Sequence, residues 1–499
     1  MYKFHRKFSI KRRFYEIIGA KKVENMKKGI MSSFIILGVL LSGCGSQKEE
    51  LYSSSNPVDI TVWTYYNGDQ LSSFNTLVKK FNRTQGKENG IYVESVSCGT
   101  VNDLEKNLKD SIEKKVGASE IPDMFSAYND IAYTIDQMHG IVDLNKYFSD
   151  DELDEYIEGY VQDGDILNNG KLKVFPVAKS TEILTINKTD FDVFAKATNV
   201  SSKDLSTIEG LVEVSQKYYE WTDSLTPKPN DGKAFFGRDA MANYILAGSM
   251  QLGHEIFKVK DGKMKLDYNK KVARKLWDNY YIPYIKGYFT ASGVFRTDDI
   301  KTGNIIGYVG SSSSATYFPK TVTNSNDETY SIKMETLPCP QFKDSKNYAI
   351  QQGAGMAVMK TTKTRQQAAV EFLKWLTDAK QNVQFSKETG YLPVKKEANK
   401  VEPLVDNNDN KDTQKVVEVS IDTVKENTMY SPKAFKQGTK ARYYLQSMMS
   451  DKATEDRQVV ETNLKNGQDL DQATASFTSD EYFEHWYQET KMQLQTYED

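Results

Sequence analysis

Residues 60–65, Ile60-Thr61-Val62-Trp63-Thr64-Tyr65, form an unbroken run of β-branched and aromatic side chains, the texture of a strand buried on both faces. Phe74, Leu77, Val78 and Phe81 follow at three- and four-residue intervals, which predicts a helix with one apolar stripe. The alternation then repeats. Residues 91–96 read as a strand, Leu104, Leu108 and Ile112 mark a helix, and residues 121–126 read as a third strand. Such an order predicts a parallel sheet wound by crossover helices. Further on, residues 184–187, 305–310 and 356–359 are strand-like. Residues 211–221 and the stretch through Ala368, Ala369, Phe372, Leu373 and Leu376 are helical, as are 438–449 and 479–495. The polar segment 401–413 predicts a solvated loop. It lacks the pattern of a calcium loop, because the sixth position is Lys411 and the twelfth Val417.

The other strong pattern is N-terminal. An apolar run over residues 30–41, preceded by Lys27, Lys28 and a candidate initiator Met26, closes on Leu41-Ser42-Gly43-Cys44. A basic start, a short apolar core and small residues make a secretory signal. The run falls short of the ~20 apolar residues that span a bilayer. With its cysteine it resembles a bacterial lipoprotein signal. That resemblance implies cleavage between Gly43 and Cys44 and a diacylglycerol on the Cys44 thiol, each buried methylene adding roughly 0.8 kcal/mol of anchoring. Residues 1–25, with eight Lys/Arg, are an over-called start or a long basic region. Residues 44–57 read as a flexible tether.

The remaining 456 residues suffice for two or three domains. The excluded segment 1–43 holds ten basic and two acidic side chains, and its removal takes the net charge from −3 to −11. An acidic chain without a Lys/Arg-rich patch interleaved with aromatics argues against nucleic acid. Cys98 and Cys339, far apart and in no metal-like spacing, are expected as two separate thiols. There is no Gly-x-Ser-x-Gly elbow, no phosphate-binding Gly-Lys loop and no His-Glu-x-x-His, and the four histidines are scattered. A pair of glycosidase carboxylates is a spatial criterion that composition leaves open.

An ordered series of segments carries a family resemblance. Its landmarks are Ile60-Thr61-Val62-Trp63, Ile121-Pro122-Asp123-Met124-Phe125, Val142-Asp143-Leu144, Phe175-Pro176-Val177, Gly353-Ala354-Gly355-Met356, Glu371-Phe372-Leu373-Lys374-Trp375 and Gly390-Tyr391-Leu392-Pro393. Over Val58 to about Pro393 the chain resembles the extracellular solute-binding proteins of family 1, the maltose-binding-like receptors of ATP-driven importers. The resemblance implies an α/β, two-lobed periplasmic-binding-protein-like fold of type II, with parallel-rich sheets and hinge crossovers. Residues 58–176 and 352–398 would form one lobe, 177–351 and 399–499 the other, with ligand held between them.

Candidate contacts lie where strands end. Tyr65 and Tyr66 can stack on a sugar ring with Asp69 accepting from hydroxyls, although one tyrosine, like Trp63, also suits a core. Tyr128 and Asp130 follow the third strand, where Asn129 or Asp130 can equally cap a helix. Ser180 and Glu182 lie just past the first crossover, and Gln352 and Gly353 lie at the second. Asp239 precedes an apolar helix, where N-capping competes. Ser311, Ser312 and Tyr317 belong to a run of hydroxyls after a buried strand, suited to a polyhydroxyl ligand or to an anion.

The expectation is a non-catalytic, lipid-anchored receptor on the outer face of the cell membrane, monomeric and without cofactor or metal. It takes a small polar ligand, a sugar or oligosaccharide, and hands it to ABC permease subunits. A phosphorylated solute such as glycerol phosphate remains open within that class, and an anchored glycan-degrading enzyme outside it.

Overall fold

The computed structural model describes residues 51–404 and 411–498, so Cys44 and its lipobox lie outside the described residues. The elements that position the site begin with β1 (Val58–Thr64), α1 (Gly68–Arg83), β2 (Ile91–Ser97), α2 (Val101–Ile112), β3 (Met124–Ala127) and α3 (Asn129–Met138). Then come β4 (Glu182–Asn187), β5 (Phe236–Arg238), α4 (Met241–Gln251), α5 (Lys270–Ile285), β6 (Gly307–Ser311) and β7 (Met334–Pro338). The last part holds β8 (Tyr348–Ile350), β9 (Gly355–Val358), α6 (Lys363–Leu376), α7 (Ala379–Thr389), α8 (Lys411–Glu426), β10 (Thr428–Tyr430), α9 (Gly438–Ser447), α10 (Ser450–Lys465) and α11 (Asp480–Gln495).

Two four-stranded sheets define two lobes. The first has the order β9-β3-β1-β2. In it β1 pairs in parallel with β2, from Val58 opposite Ile91 to Thr64 opposite Ser97, and with β3. Only β9 runs antiparallel. Both faces of this sheet are covered, as parallel strands require. Ile60 and Val62 point into a core with Phe74, Phe81 and Phe372, and Trp63 points the other way, onto Phe125, Leu104 and Leu108. Trp63 is therefore core.

The second sheet has the order β7-β4-β6-β5 and is mixed, with β5 parallel to β6 and the other two pairs antiparallel. Its core continues into the C-terminal helices. Trp277 of α5 stacks on Tyr281 at 3.5 Å between ring centroids and meets Trp486 of α11 at 4.4 Å. Cys98 packs against the first lobe's core and Cys339 against the second's, and both thiols are free.

The lobes are joined by crossing strands that bond to one another. The Ser180 N–H donates to the Gln352 carbonyl at 3.0 Å and the Gln352 N–H returns a bond to Ser180 at 2.9 Å. Beside them β8 pairs in parallel with β10. Gly353 has φ +87°, and a Cβ there would stand 2.5 Å from the Ala178 carbonyl oxygen, so a side chain would force the crossings apart.

The loop expected over 401–413 is narrower than its polarity suggests. Val401–Leu404 is a helical turn and Lys411 opens α8; residues 405–410 lie outside the described residues. Leu404 and Val417 pack with Leu392 and Ile421, and that burial draws both flanks into helix. Leu51–Pro57, the described part of the expected tether, lies against the first lobe, where the Tyr52 hydroxyl donates to Glu371 at 2.8 Å. No helix among the described residues is long and apolar enough to cross a membrane.

Trp277→Ala removes the aromatic that ties α11 to the second lobe. Denaturant unfolding is expected to show a loss of about 3–5 kcal/mol, with early proteolysis near residues 480–495.

Candidate functional site

A cavity of about 470 Å³ opens between the lobes, within the range of small-molecule sites. It sits at the carboxyl ends of β3 and β6, where a sheet buried on both faces leaves its loops free for binding. The first lobe supplies α2 and the start of α3. Helix α2 begins at Thr100, which accepts from the Asp103 N–H while the Asp103 carboxylate accepts from Thr100, so Asn102 and Glu105 are presented on a fixed turn. The crossings supply Lys179, Ser180, Gln352 and Gly353, and the second lobe supplies Asn243, Ser311, Ser313 and one face of α9.

Of the residues singled out from sequence, Tyr128, Asp130, Ser180, Ser311, Gln352 and Gly353 line this cavity together. Tyr128 is 41% exposed and offers an open ring face. Tyr65 stands behind it, its ring stacked on Tyr128 with centroids 5.8 Å apart. Burial, then the neighbouring Tyr128 and Tyr391, push the Tyr65 hydroxyl well above the ordinary tyrosine range, so it stays a neutral brace. Tyr66 points the opposite way, into the first core against Phe74 and Phe385.

The others lie elsewhere. Asp69 is exposed in the first turn of α1, and Tyr317 is 62% exposed on a 3-10 turn, both away from the cavity lining. Asp239 accepts from the Arg296 N–H at 3.0 Å and so holds a neighbouring helix start. Ser312 is buried at the crossing, where its hydroxyl accepts from the Thr181 N–H at 3.4 Å. Glu182 sits behind the cavity wall. One of its oxygens accepts from Arg238 at 2.9 Å and the other from the Asn243 amide at 2.9 Å, all three side chains being buried.

The serine run works as a seam. Ser311 donates to Ser180 across the crossing at 3.1 Å, meets Ser313 at 3.0 Å, and its carbonyl accepts from the Ser314 hydroxyl at 2.7 Å. Beside it Lys179 Nζ donates to Asp163 at 2.8 Å and to the Gly353 carbonyl at 3.2 Å, while Asn129 donates to the other Asp163 oxygen at 2.8 Å. Desolvation opposes ionisation of Asp163, but Lys179, Asn129 and Lys433 together outweigh it and hold the carboxyl below its usual range. The pair of Lys179 and Asp163 is internally neutral.

Sequence reasoning missed the α9 wall. Thr439, Arg442, Tyr443 and Gln446 recur at helical spacing opposite the apolar Ala441 and Leu445. The same stripe would mark any solvated helix, so nothing local announces a cleft. Tyr443 donates to Asn102 at 3.1 Å, a contact from second lobe to first across the cavity mouth. Tyr391 was visible as a landmark residue but carried no sign that it lines the site. Among the described residues no cluster of side chains suits a metal ion.

The molecule is thus two-lobed and α/β, with a cleft at the strand ends lined by side chains from both lobes. Residues 76–413 match the family described as bacterial extracellular solute-binding protein, and the chain belongs to that family. Solved structures share its fold. The cyclic alpha-maltosyl-1,6-maltose binding protein of Arthrobacter globiformis is 16% identical with a TM-score of 0.59, over 87% of this chain and 99% of that one. UgpB from Mycobacterium tuberculosis, in complex with glycerophosphocholine, is 16% identical with a TM-score of 0.61, over 88% and 98%. An ABC substrate-binding protein from Listeria monocytogenes, in complex with cycloalternan, is 14% identical with a TM-score of 0.60, over 88% and 99%. No curated protein sequence matches the chain.

Glu182→Ala strands the buried Arg238 without its counter-charge. A loss of about 3–5 kcal/mol in denaturant unfolding is expected, larger than that of any residue contacting solute alone. Unchanged stability would put Glu182 back among the ligand contacts.

Proposed function

We propose that this chain is the lipid-anchored receptor of an ABC importer, capturing a sugar or oligosaccharide between its lobes and delivering it to a membrane permease. The observation that carries the reading is the composition of the cleft wall. Tyr128, Tyr391 and Tyr443 stand beside Ser180, Ser311, Asn243 and Asn102, a set of ring faces and neutral hydrogen-bonding groups contributed by both lobes. Tyrosine offers an apolar face with a polar tip, which matches the alternation of C–H faces and hydroxyls on a pyranose. Two of the structural relatives are described as a cyclic alpha-maltosyl-1,6-maltose binding protein and as a complex with cycloalternan, in keeping with this reading.

A phosphorylated solute is the second reading. Arg442 favours it, since its guanidinium faces the cavity and has no ion-pair partner among the described residues. The receptor acts as a monomer, without cofactor and without catalysis. Its anchor is the acylated Cys44, on the outer face of the cell membrane.

Closure of the lobes on ligand is the functional event, because ligand buried between two faces binds only the closed form tightly. Calorimetric titration with a glycan panel is expected to give saturable binding without new reducing ends. Tyr128→Ala should weaken the best ligand roughly tenfold, or about 1.4 kcal/mol. X-ray scattering at saturation should show a smaller radius of gyration than the free protein, and an unchanged radius counts against closure. Cys44→Ala should release the protein into the medium, and persistent membrane attachment would remove the lipid anchor from the account.

A further inference from the structure

Asp130 and Arg442 face the same cavity from opposite lobes, and neither is satisfied there. Among the described residues, no hydrogen bond reaches the Asp130 carboxylate. Arg442 uses one of its N–H donors, to the Asn243 amide oxygen at 2.8 Å. The two feel each other's charge but form no ion pair among the described residues. Both are held in place. A Cβ on Gly438 would stand 2.6 Å from Asp130 Oδ1, so glycine at the start of α9 is what lets that carboxylate lie against the helix. On the other side Arg238 fixes Glu182, Glu182 fixes the Asn243 amide nitrogen, and the Asn243 oxygen then aims Arg442.

Building on the sugar-receptor reading, we infer that Asp130 and Arg442 are a charge pair split across the cleft, which selects an uncharged ligand by its adjacent hydroxyls. A hydroxyl serves both sides at once without carrying charge, donating its proton to the carboxylate and accepting from the guanidinium. An anion satisfies Arg442 but is repelled by Asp130, and a cation meets the reverse. Because each partner rides on a different lobe, a bridging diol also ties recognition to closure. Asn243 and Glu182 are positioning residues in this arrangement.

The charged surroundings support the assignment. Glu105 on α2 is paired with Lys109, Lys179 is paired with Asp163, and Lys433 is spent on backbone carbonyls, which leaves Asp130 and Arg442 as the charges open to ligand. Desolvation raises the Asp130 carboxyl to about 6; Arg442 opposes that rise and Glu105 adds to it. The carboxylate that accepts from a hydroxyl is therefore lost as pH falls through 6. Binding of an uncharged ligand is expected to weaken on acidification, because the neutral acid accepts a weaker hydrogen bond than the carboxylate, whereas binding of an anion is expected to tighten.

Calorimetry on the wild-type protein at pH 7.5 and pH 5 tests this, with maltose, maltotriose, cellobiose and raffinose as neutral probes and glycerol phosphate, glucose phosphate and glycerophosphocholine as phosphate-bearing ones. The expected result is binding of a neutral probe that is about tenfold weaker at pH 5, the ratio set by a group titrating near 6. Asp130→Asn should bind that probe more weakly at pH 7.5 and lose the pH dependence. Arg442→Met should be ten- to a hundredfold weaker at both values. A neutral probe bound at full strength by both variants and at both pH values overturns the split pair and leaves the sugar receptor standing. Preferential binding of a phosphate-bearing probe, or no binding in either series, overturns both.

Discussion

The paired crossing at Ser180 and Gln352 is the constraint on which the rest depends. Two backbone hydrogen bonds lock two strands that run between the lobes, and Gly353 beside them tolerates no side chain. Each lobe has its own apolar core, and the seam joins them without belonging to either. Polar groups are driven off the sheet faces by that burial and collect at strand ends, which the seam brings face to face. The serines after β6 close it from the second lobe, through Ser311 onto Ser180.

The C-terminal helices complete the cleft although they lie beyond the segment that matches the family, which ends at residue 413. Helix α9 is held by its apolar face on α4 and turns Arg442 and Tyr443 toward the first lobe. The stack of Trp277, Tyr281 and Trp486 fixes the helices behind it. Part of the cleft wall thus comes from a region outside the family landmarks.

Much of the fold was legible because burial leaves a periodic signature. The strands of the first lobe and helices such as α1, α2 and α6 stand where β-branched runs and apolar stripes placed them. The site was legible only by proximity to strand ends. Adjacent residues in extended chain face opposite ways, so of Tyr65 and Tyr66 one had to enter the core, and no local feature said which. Glu182 read as a candidate ligand contact because its partner Arg238 is 56 residues away in sequence. Asp69, Asp239 and Tyr317 had the right chemistry, but their turns direct them to solvent or to a helix start. Arg442 carried no signal, since a polar stripe on a helix reads the same whether it faces water or a cleft.

A crystal structure of the protein purified with its retained ligand would show where the solute sits. A small polar molecule is expected between the lobes, in contact with Tyr128 from one side and with Ser311 or Arg442 from the other. Ligand bound on the outer surface of a single lobe, with the space between Tyr128 and α9 filled by protein, would contradict it.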